Sequence, residues 1–298
     1  MKLRWILTTI ITIGCLVSYQ ISGITKQPET SFSNLNYMSI TNPVDRVNLN
    51  RSKYPSKLQI LLPLYIYPNW YDKDKYLWKQ VIVAAKKVPI TAIINPNNGP
   101  NNAPPNSDYQ QGIKDLQQAG IEIFRYIPTN YTKRDLADVK ADVNLYTKYF
   151  KIDGIFIDEA ANTPDKLNYY QQLYQYIKDR SISARVIINP GTDTNESYIS
   201  QAVADTTVIF ENYQKTWVNY RPQAYTKKYS PQSFAALVHT TANRKLMKST
   251  LDRAVKSRFG YVYVTNDSTD TNNRNPWDTL PEYWQAEVNY IYKINVRK

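Results

Sequence analysis

The 298-residue chain has a single cysteine, Cys15, and a single histidine, His239. One cysteine allows no disulfide within the chain, and the two residues together exclude a zinc site assembled from several His and Cys ligands. A Ser-His-Asp or Cys-His nucleophile would have to use His239 as its base. Glycine-rich phosphate loops are missing too. No GxGxxG or GxxxxGK run follows any candidate strand, which counts against a nucleotide-binding sheet. No metal and no cofactor is expected, so acid–base chemistry must come from carboxylates, Tyr or Lys.

What is present is aromatic in an unusual way: 26 Tyr and 6 Trp stand against 7 Phe, in a chain that is 42% hydrophobic. Tyr and Trp combine an apolar face with a hydrogen-bonding tip, which suits polar ligands with apolar faces such as sugars, though Tyr also fills helix and barrel surfaces. The formal net charge is +12. Seven Lys/Arg and two Asp/Glu before residue 58 supply +5 of it. The basic residues are scattered rather than clustered, so a solvated basic surface is expected and no nucleic-acid partner.

The first residues read as a targeting segment. Lys2 and Arg4 precede an apolar stretch from Trp5 to Val17, within signal-peptide range and short for a membrane span. Residues 1–23 are therefore expected to be a signal peptide or membrane anchor, with secretion or attachment to the cell envelope as the consequence. Thr12-Ile13-Gly14-Cys15 has some likeness to a lipoprotein processing site. Residues 24–57, rich in Ser, Thr, Asn, Pro and Lys, read as a polar linker.

From residue 58 to 298 short apolar runs alternate with amphipathic stretches, the pattern of βα units. Eight strands are expected: Gln59–Tyr67, Ile90–Asn95, Ile121–Ile127, Gly154–Asp158, Arg185–Asn189, Thr207–Glu211, Phe234–Val238 and Tyr261–Thr265. Helices are expected around Lys75–Lys86, Tyr109–Gln118, Lys133–Phe150 and Pro281–Tyr292. Eight units at this spacing argue for a single-domain α/β fold, a (β/α)8 TIM barrel, over an open sheet.

In such barrels function sits at the C-terminal ends of the strands. Here those ends carry carboxylates, amides, hydroxyls and aromatics, the set that a sugar site needs. Asn-Pro and Asn-Gly pairs are equally ordinary turn formers. Candidate substrate-binding residues are Tyr65, Tyr67, Trp70, Asn95, Asn97, Tyr126, Thr129, Tyr131, Asn189, Asn212, Tyr213, His239 and Thr265.

Side-chain alternation sorts the acids. In Gly-Ile-Phe-Ile-Asp-Glu, Phe156 and Asp158 share a face, and Ile155, Ile157 and Glu159 share the other. Since the helix-facing side prefers Ile and Val, Asp158 is expected to point to the barrel axis and Glu159 into the loop. Glu211 shares a face with Ile209 and is expected on the axis too. Their strands, the fourth and sixth, are alternate ones about 10 Å apart, so the two carboxyls could approach to about 5–9 Å. That range covers both retaining and inverting glycosidases. An ion pair or helix cap is the structural alternative for any one acid. Asp252 and Asp267 are weaker candidates, and Asp153, at the opposite end of its strand, reads as a turn residue.

The runs Ile94-Asn95-Pro96-Asn97-Asn98-Gly99-Pro100, Tyr126-Ile127-Pro128-Thr129-Asn130-Tyr131, Gly154–Glu159, Asn189-Pro190-Gly191-Thr192 and Val208–Glu211 together resemble the spherulin-4-like family, to which family 135 glycoside hydrolases belong. The resemblance covers residue 58 to the end. It implies a (β/α)8 barrel and endo-acting hydrolysis of an N-acetylgalactosamine-containing polysaccharide. It also implies a catalytic Asp-Glu pair and a later Glu, matching Asp158, Glu159 and Glu211, with Asp158 as nucleophile, Glu211 as acid/base and Glu159 tuning them. Arg125 and Asn101 stand where the family pattern usually has Gly, which points to altered sugar subsites. The expectation is thus a monomeric endo-glycosidase acting on an amino-sugar polysaccharide. The rival readings are a non-catalytic carbohydrate-binding barrel tethered at the envelope and a basic barrel that binds an anionic polymer.

Overall fold

A computed structural model describes residues 57–100, 104–149, 153–181, 184–269 and 275–297. The targeting segment and all but the last residue of the linker lie outside the described residues. Eight parallel strands close into a barrel in sequence order: β1 Gln59–Pro63, β2 Ile90–Ile94, β3 Glu122–Pro128, β4 Gly154–Asp158, β5 Arg185–Ile188, β6 Thr206–Tyr213, β7 Phe234–His239 and β8 Tyr261–Val264. Closure is made by β1 beside β8, with Gln59 opposite Tyr261 and Ile60 opposite Val262. The connecting helices are α1 Trp78–Ala85, α2 Ser107–Gln118, α3 Leu136–Tyr149, α4 Leu167–Arg180, the single turns α5 Ser197–Ser200 and α6 Gln214–Trp217, α7 Arg244–Lys256 and α8 Trp284–Val296.

The helices form where apolar residues recur every three or four positions. α4 buries Tyr170, Leu173, Tyr174 and Ile177, and α7 buries Met247, Thr250, Leu251 and Ala254. Asn106 and Asn243 cap α2 and α7, each accepting backbone N–H groups of the first turn. Asn295 of α8 closes the ring by accepting from the Leu58 N–H and donating to the Leu58 carbonyl.

Alternation along the strands divides the core. Ile155 and Ile157 of β4, with Ile127, Val186 and Ile188, pack outward against Val139 and Val143 of α3 and Leu173 and Ile177 of α4. Phe156, one residue away, packs instead with Phe124, Tyr126 and Ile187. Asp158 continues the Phe156 face to the top of the barrel. Each such apolar side chain contributes about 1.5–3 kcal/mol on burial, so inverting this parity would expose several of them at once.

The strand boundaries differ from the sequence expectation where side chains interrupt the ladder. β1 stops at Pro63 rather than Tyr67, because the chain bends at Ile66, whose carbonyl takes the Trp78 indole N–H. β2 ends at Ile94, since the Asn95 side chain turns to accept the Gly99 N–H. β6 starts one residue earlier and ends two residues later than expected, pairing Asn212 and Tyr213 with Val238 and His239, and its register slips between Val208 and Phe210. α1 begins at Trp78 rather than Lys75 because Asp72 folds the preceding residues into a turn, accepting the N–H groups of Asp74 and Lys75. α3 begins at Leu136 rather than Lys133, behind a left-handed run at Asn130, Tyr131 and Thr132. α8 lies later than expected, at Trp284–Val296, because Pro281 to Tyr283 form a turn.

Gly154 pins β4. A Cβ there would meet Phe124 ring atoms at 2.4 and 2.5 Å and the Arg185 carbonyl at 2.6 Å. Gly154→Ala is expected to cost about 2 kcal/mol or more by overpacking, which would appear as a lower Tm or an earlier urea midpoint.

Candidate active site

The C-terminal mouth of the barrel holds a cavity of about 610 Å³, lined by all three acids, Asp158, Glu159 and Glu211, together with Tyr65, Asn95, Tyr131, Asn189, His239, Thr269, Asn275 and Trp277 among others. β4 delivers Asp158 and β6 delivers Glu211. Between them Asn189 follows directly on β5, and its amide is the joint of the site. Asn189 Nδ2 donates to Asp158 Oδ1 at 2.7 Å and to Glu211 Oε2 at 2.5 Å. One nitrogen reaching both places these two oxygens at most about 5 Å apart, at the near end of the separation expected from strand spacing.

The backbone fixes which way that amide points. The Gly191 N–H donates to Asn189 Oδ1 at 3.0 Å, so both Nδ2 hydrogens face the acids. The Asn189 N–H and carbonyl bond the Ile157 carbonyl and the Ala160 N–H, and the Glu211 N–H donates to the Gly191 carbonyl. The loop after β5 is thereby stitched to the strand ends on either side.

The two acids are treated unequally. Asp158 is pushed up by burial, but it accepts hydrogen bonds from the Glu159 backbone N–H, the Tyr126 hydroxyl and Asn189, all of which favour its ionised form. Glu211 is buried as well, feels the Asp158 charge, and has only Asn189 and the Trp277 indole as donors, so its carboxyl is pushed up to about 7. The three donors thus favour the ionised form of Asp158, while burial beside that charge raises Glu211. Tyr65, beside both, has its hydroxyl pushed up by burial and then by the Asp158 charge.

Glu159 adopts a left-handed backbone, φ 49°, rare for a residue with a side chain. It is held there because its carbonyl accepts the Tyr131 N–H at 2.6 Å and the Thr129 hydroxyl at 3.0 Å. Tyr131 (φ 55°) and Thr240 (φ 55°) at the same mouth are also left-handed. Strain of about 1–3 kcal/mol per residue persists only where the surroundings over-determine it, and it clusters at functional sites.

Of the sequence candidates, Tyr65, Asn95, Tyr131, Asn189 and His239 line the cavity with the acids. Tyr126 lies beneath it, stacked on Phe156 and donating to Asp158. Tyr213 stands behind His239, ring centroids 4.4 Å apart, with its hydroxyl 2.5 Å from Thr269 Oγ1. Thr129 and Thr265 do not reach the cavity: both are fully buried, Thr129 tying the loop of Glu159 and Thr265 accepting the Asp267 N–H. Asn212 is turned outward, accepting its neighbour's N–H, and Asn97 lies exposed on the outer turn of its loop. Tyr67 and Trp70 stand apart on an exposed rim, bonded to Asp108.

Arg125 does not shape this cleft. β3 turns it to the helix side, where it is buried and lines a separate cavity of about 200 Å³ with Ile113 and Tyr146. Asp153 accepts the Ile123 N–H at the far end of the barrel, and Asp252 accepts the Tyr290 hydroxyl on the outer ring. Sequence reading missed Asn275-Pro276-Trp277 and Thr269. The signal was there: an Asn-Pro turn followed by an aromatic, the kind of turn that follows β2 and β5, but displaced well beyond the end of β8. Among the described residues no group of three or more His, Cys, Asp or Glu is arranged to hold a metal ion.

The fold and site define a closed (β/α)8 barrel with acids at the ends of alternate strands. The Spherulin4 family, spherulation-specific family 4, matches residues 59–291. Spherulin-4 of Physarum polycephalum is 33% identical over 247 residues, covering 80% of this chain and 71% of that protein. The chain belongs to the spherulin-4 family. Among solved structures, Aspergillus clavatus Sph3 in complex with GalNAc aligns with a TM-score of 0.68 at 23% identity, over 80% of this chain and 98% of that one. A cyclomaltodextrinase aligns with a TM-score of 0.50 at 10% identity, over 82% and 62%. Both share the barrel.

The raised Glu211 carboxyl has a consequence for stability. Its ordinary value is near 4.5, and the folded protein keeps the proton up to about 7. Between those values the folded state binds more protons than the unfolded one, so stability falls as pH rises through this window. Glu211→Gln removes the penalty. The variant is expected to melt higher than the wild type above pH 7, by roughly 2 kcal/mol or several degrees, with the advantage vanishing toward pH 4.5. Thermal melts across pH 4.5–8 check this.

Proposed function

We propose that this protein is a glycoside hydrolase acting within the chain of an amino-sugar polysaccharide. The observation that carries the reading is the single Asn189 amide joining Asp158 and Glu211 at retaining distance. Asp158, ionised first and held by three donors, is the nucleophile. Glu211, still protonated near neutral pH, delivers its proton to the leaving oxygen and then, as the carboxylate, activates the water that releases the product. Glu159 stands beside them in the cleft and its charge raises Asp158.

The substrate class is supported by the family membership and by the GalNAc bound to the structurally similar Sph3. The aromatic and amide lining suits stacking on sugar rings and hydrogen bonding to hydroxyl and acetamido groups. The apolar stretch after Lys2 and Arg4 fits delivery to the cell exterior or envelope, where such a polymer would be met.

Asp158→Asn and Glu211→Gln are each expected to lower kcat on an N-acetylgalactosamine-containing polysaccharide by at least about 100-fold, followed by release of reducing ends. Full activity in either variant sinks the proposal. Glycan binding without product release, unaffected by both substitutions, would instead identify a binding barrel. The wild-type product is expected to appear first with the anomeric configuration of the substrate, which proton NMR of the early reaction reads directly. The kcat/KM profile is expected to fall on its alkaline side near pH 7 as Glu211 loses its proton, and that limb should disappear in Glu211→Gln.

A further inference from the structure

We propose that Tyr67, Trp70 and Tyr71 form a second carbohydrate-binding platform, outside the carboxylate cleft, that grips a more distant stretch of the same polysaccharide. The inference rests on the reading of the cleft as a polysaccharide site and extends it to the length of chain held.

The three rings occupy five consecutive positions after β1 and are 41, 41 and 64% exposed. Single exposed apolar side chains are common on protein surfaces, whereas a local cluster marks a binding surface. The polar edges of two of them are already committed. Tyr67 donates its hydroxyl hydrogen to Asp108 Oδ2 at 2.6 Å, and the Trp70 indole donates to Asp108 Oδ1 at 2.9 Å. Asn106 donates to the Tyr67 hydroxyl at 3.0 Å, and Tyr71 meets Trp70 edge to face, centroids 6.4 Å apart.

One carboxylate therefore sets the orientation of two rings. Asp108 lies in the first turn of α2, where the helix dipole favours a negative charge, and the capping residue Asn106 joins the same network. With the polar edges of Tyr67 and Trp70 held and Tyr67 packed edge to face with Tyr109, much of the entropy of ordering these rings is spent before any ligand arrives. An ordered ring face takes the apolar C–H face of a pyranose. The rings stand in the β1–α1 connection, at the same C-terminal end of the barrel as the cleft: Tyr65, two residues before Tyr67, lines the cleft with Asp158, and Tyr67 lines the separate cavity of about 200 Å³ with Asn106 and Tyr109. A polysaccharide leaving the acids along the β1 side would run over these rings, which commits the occupant to the substrate polymer rather than to a protein.

Native electrophoresis through gels containing a soluble N-acetylgalactosamine-containing polysaccharide, with every protein carrying Glu211→Gln to suppress hydrolysis, tests this. That parent, a Trp70→Ala/Tyr71→Ala double variant and Asp108→Ala are compared, with melting temperatures recorded for each. The double variant is expected to bind the polymer at least about fivefold more weakly, with an unchanged melting temperature because its rings are exposed. Asp108→Ala, which keeps the rings but releases them, is expected to lose affinity in the same direction. Should the double variant melt early, Trp70→Phe provides the comparison, since it retains the ring and should retain most of the retardation. Undiminished retardation of the double variant overturns the proposal, and so does a parent protein that the polysaccharide does not slow. Failure of hydrolysis, by contrast, bears on the catalytic reading alone.

Discussion

The closed parallel ladder is the constraint on which the rest depends. Because every strand runs the same way and β8 returns to pair with β1, all eight C-terminal ends meet at one mouth. No edge is left unpaired, and each ascending strand can place its last residues in a common space. The acids of β4 and β6 and the amide of β5 are neighbours for that reason alone, although 53 positions separate Asp158 from Glu211 in the sequence. The apolar faces below them hold the parity, so the side chain after Phe156 and Ile157 has to point inward.

Within that frame the chemistry is set by how donors are shared out. Two buried carboxyls near one another cannot both carry charge cheaply. Three hydrogen bonds go to Asp158 and two to Glu211, so the ionised form is favoured more at Asp158. The Gly191 N–H that orients Asn189 belongs to a left-handed turn (φ 66°), where glycine carries no steric penalty. Backbone conformation, amide orientation and the unequal sharing of donors between the two acids form one chain of causes.

Much of this was legible in the sequence because it depends on local rules. Strand count, the β4 boundaries and the inward course of Asp158 follow from period-two alternation over Gly-Ile-Phe-Ile-Asp. Asn189 was named as a binding residue, but its bridging role requires two strands that sequence spacing does not relate. The register slip in β6 was illegible, since nothing in Thr-Val-Ile-Phe-Glu announces an unmatched residue. Trp277 was missed because a long connection carries it back over Glu211 from well past β8. Thr129 and Thr265 lie outside the cavity for the converse reason: a hydroxyl at a strand end serves a ligand or a loop equally well, and only burial tells the two apart.

Gly154 sits four residues before Asp158, at the closed end of β4, with Phe124 on one side and the Arg185 carbonyl on the other. Its place far below the mouth gives it no chemistry. Yet a strand that can sit in only one notch has a fixed height, and the last residue of that strand inherits it. The elevation of Asp158 above the barrel floor is thus gauged from below, by a missing methyl group, much as the length of a key's shank fixes where its teeth engage.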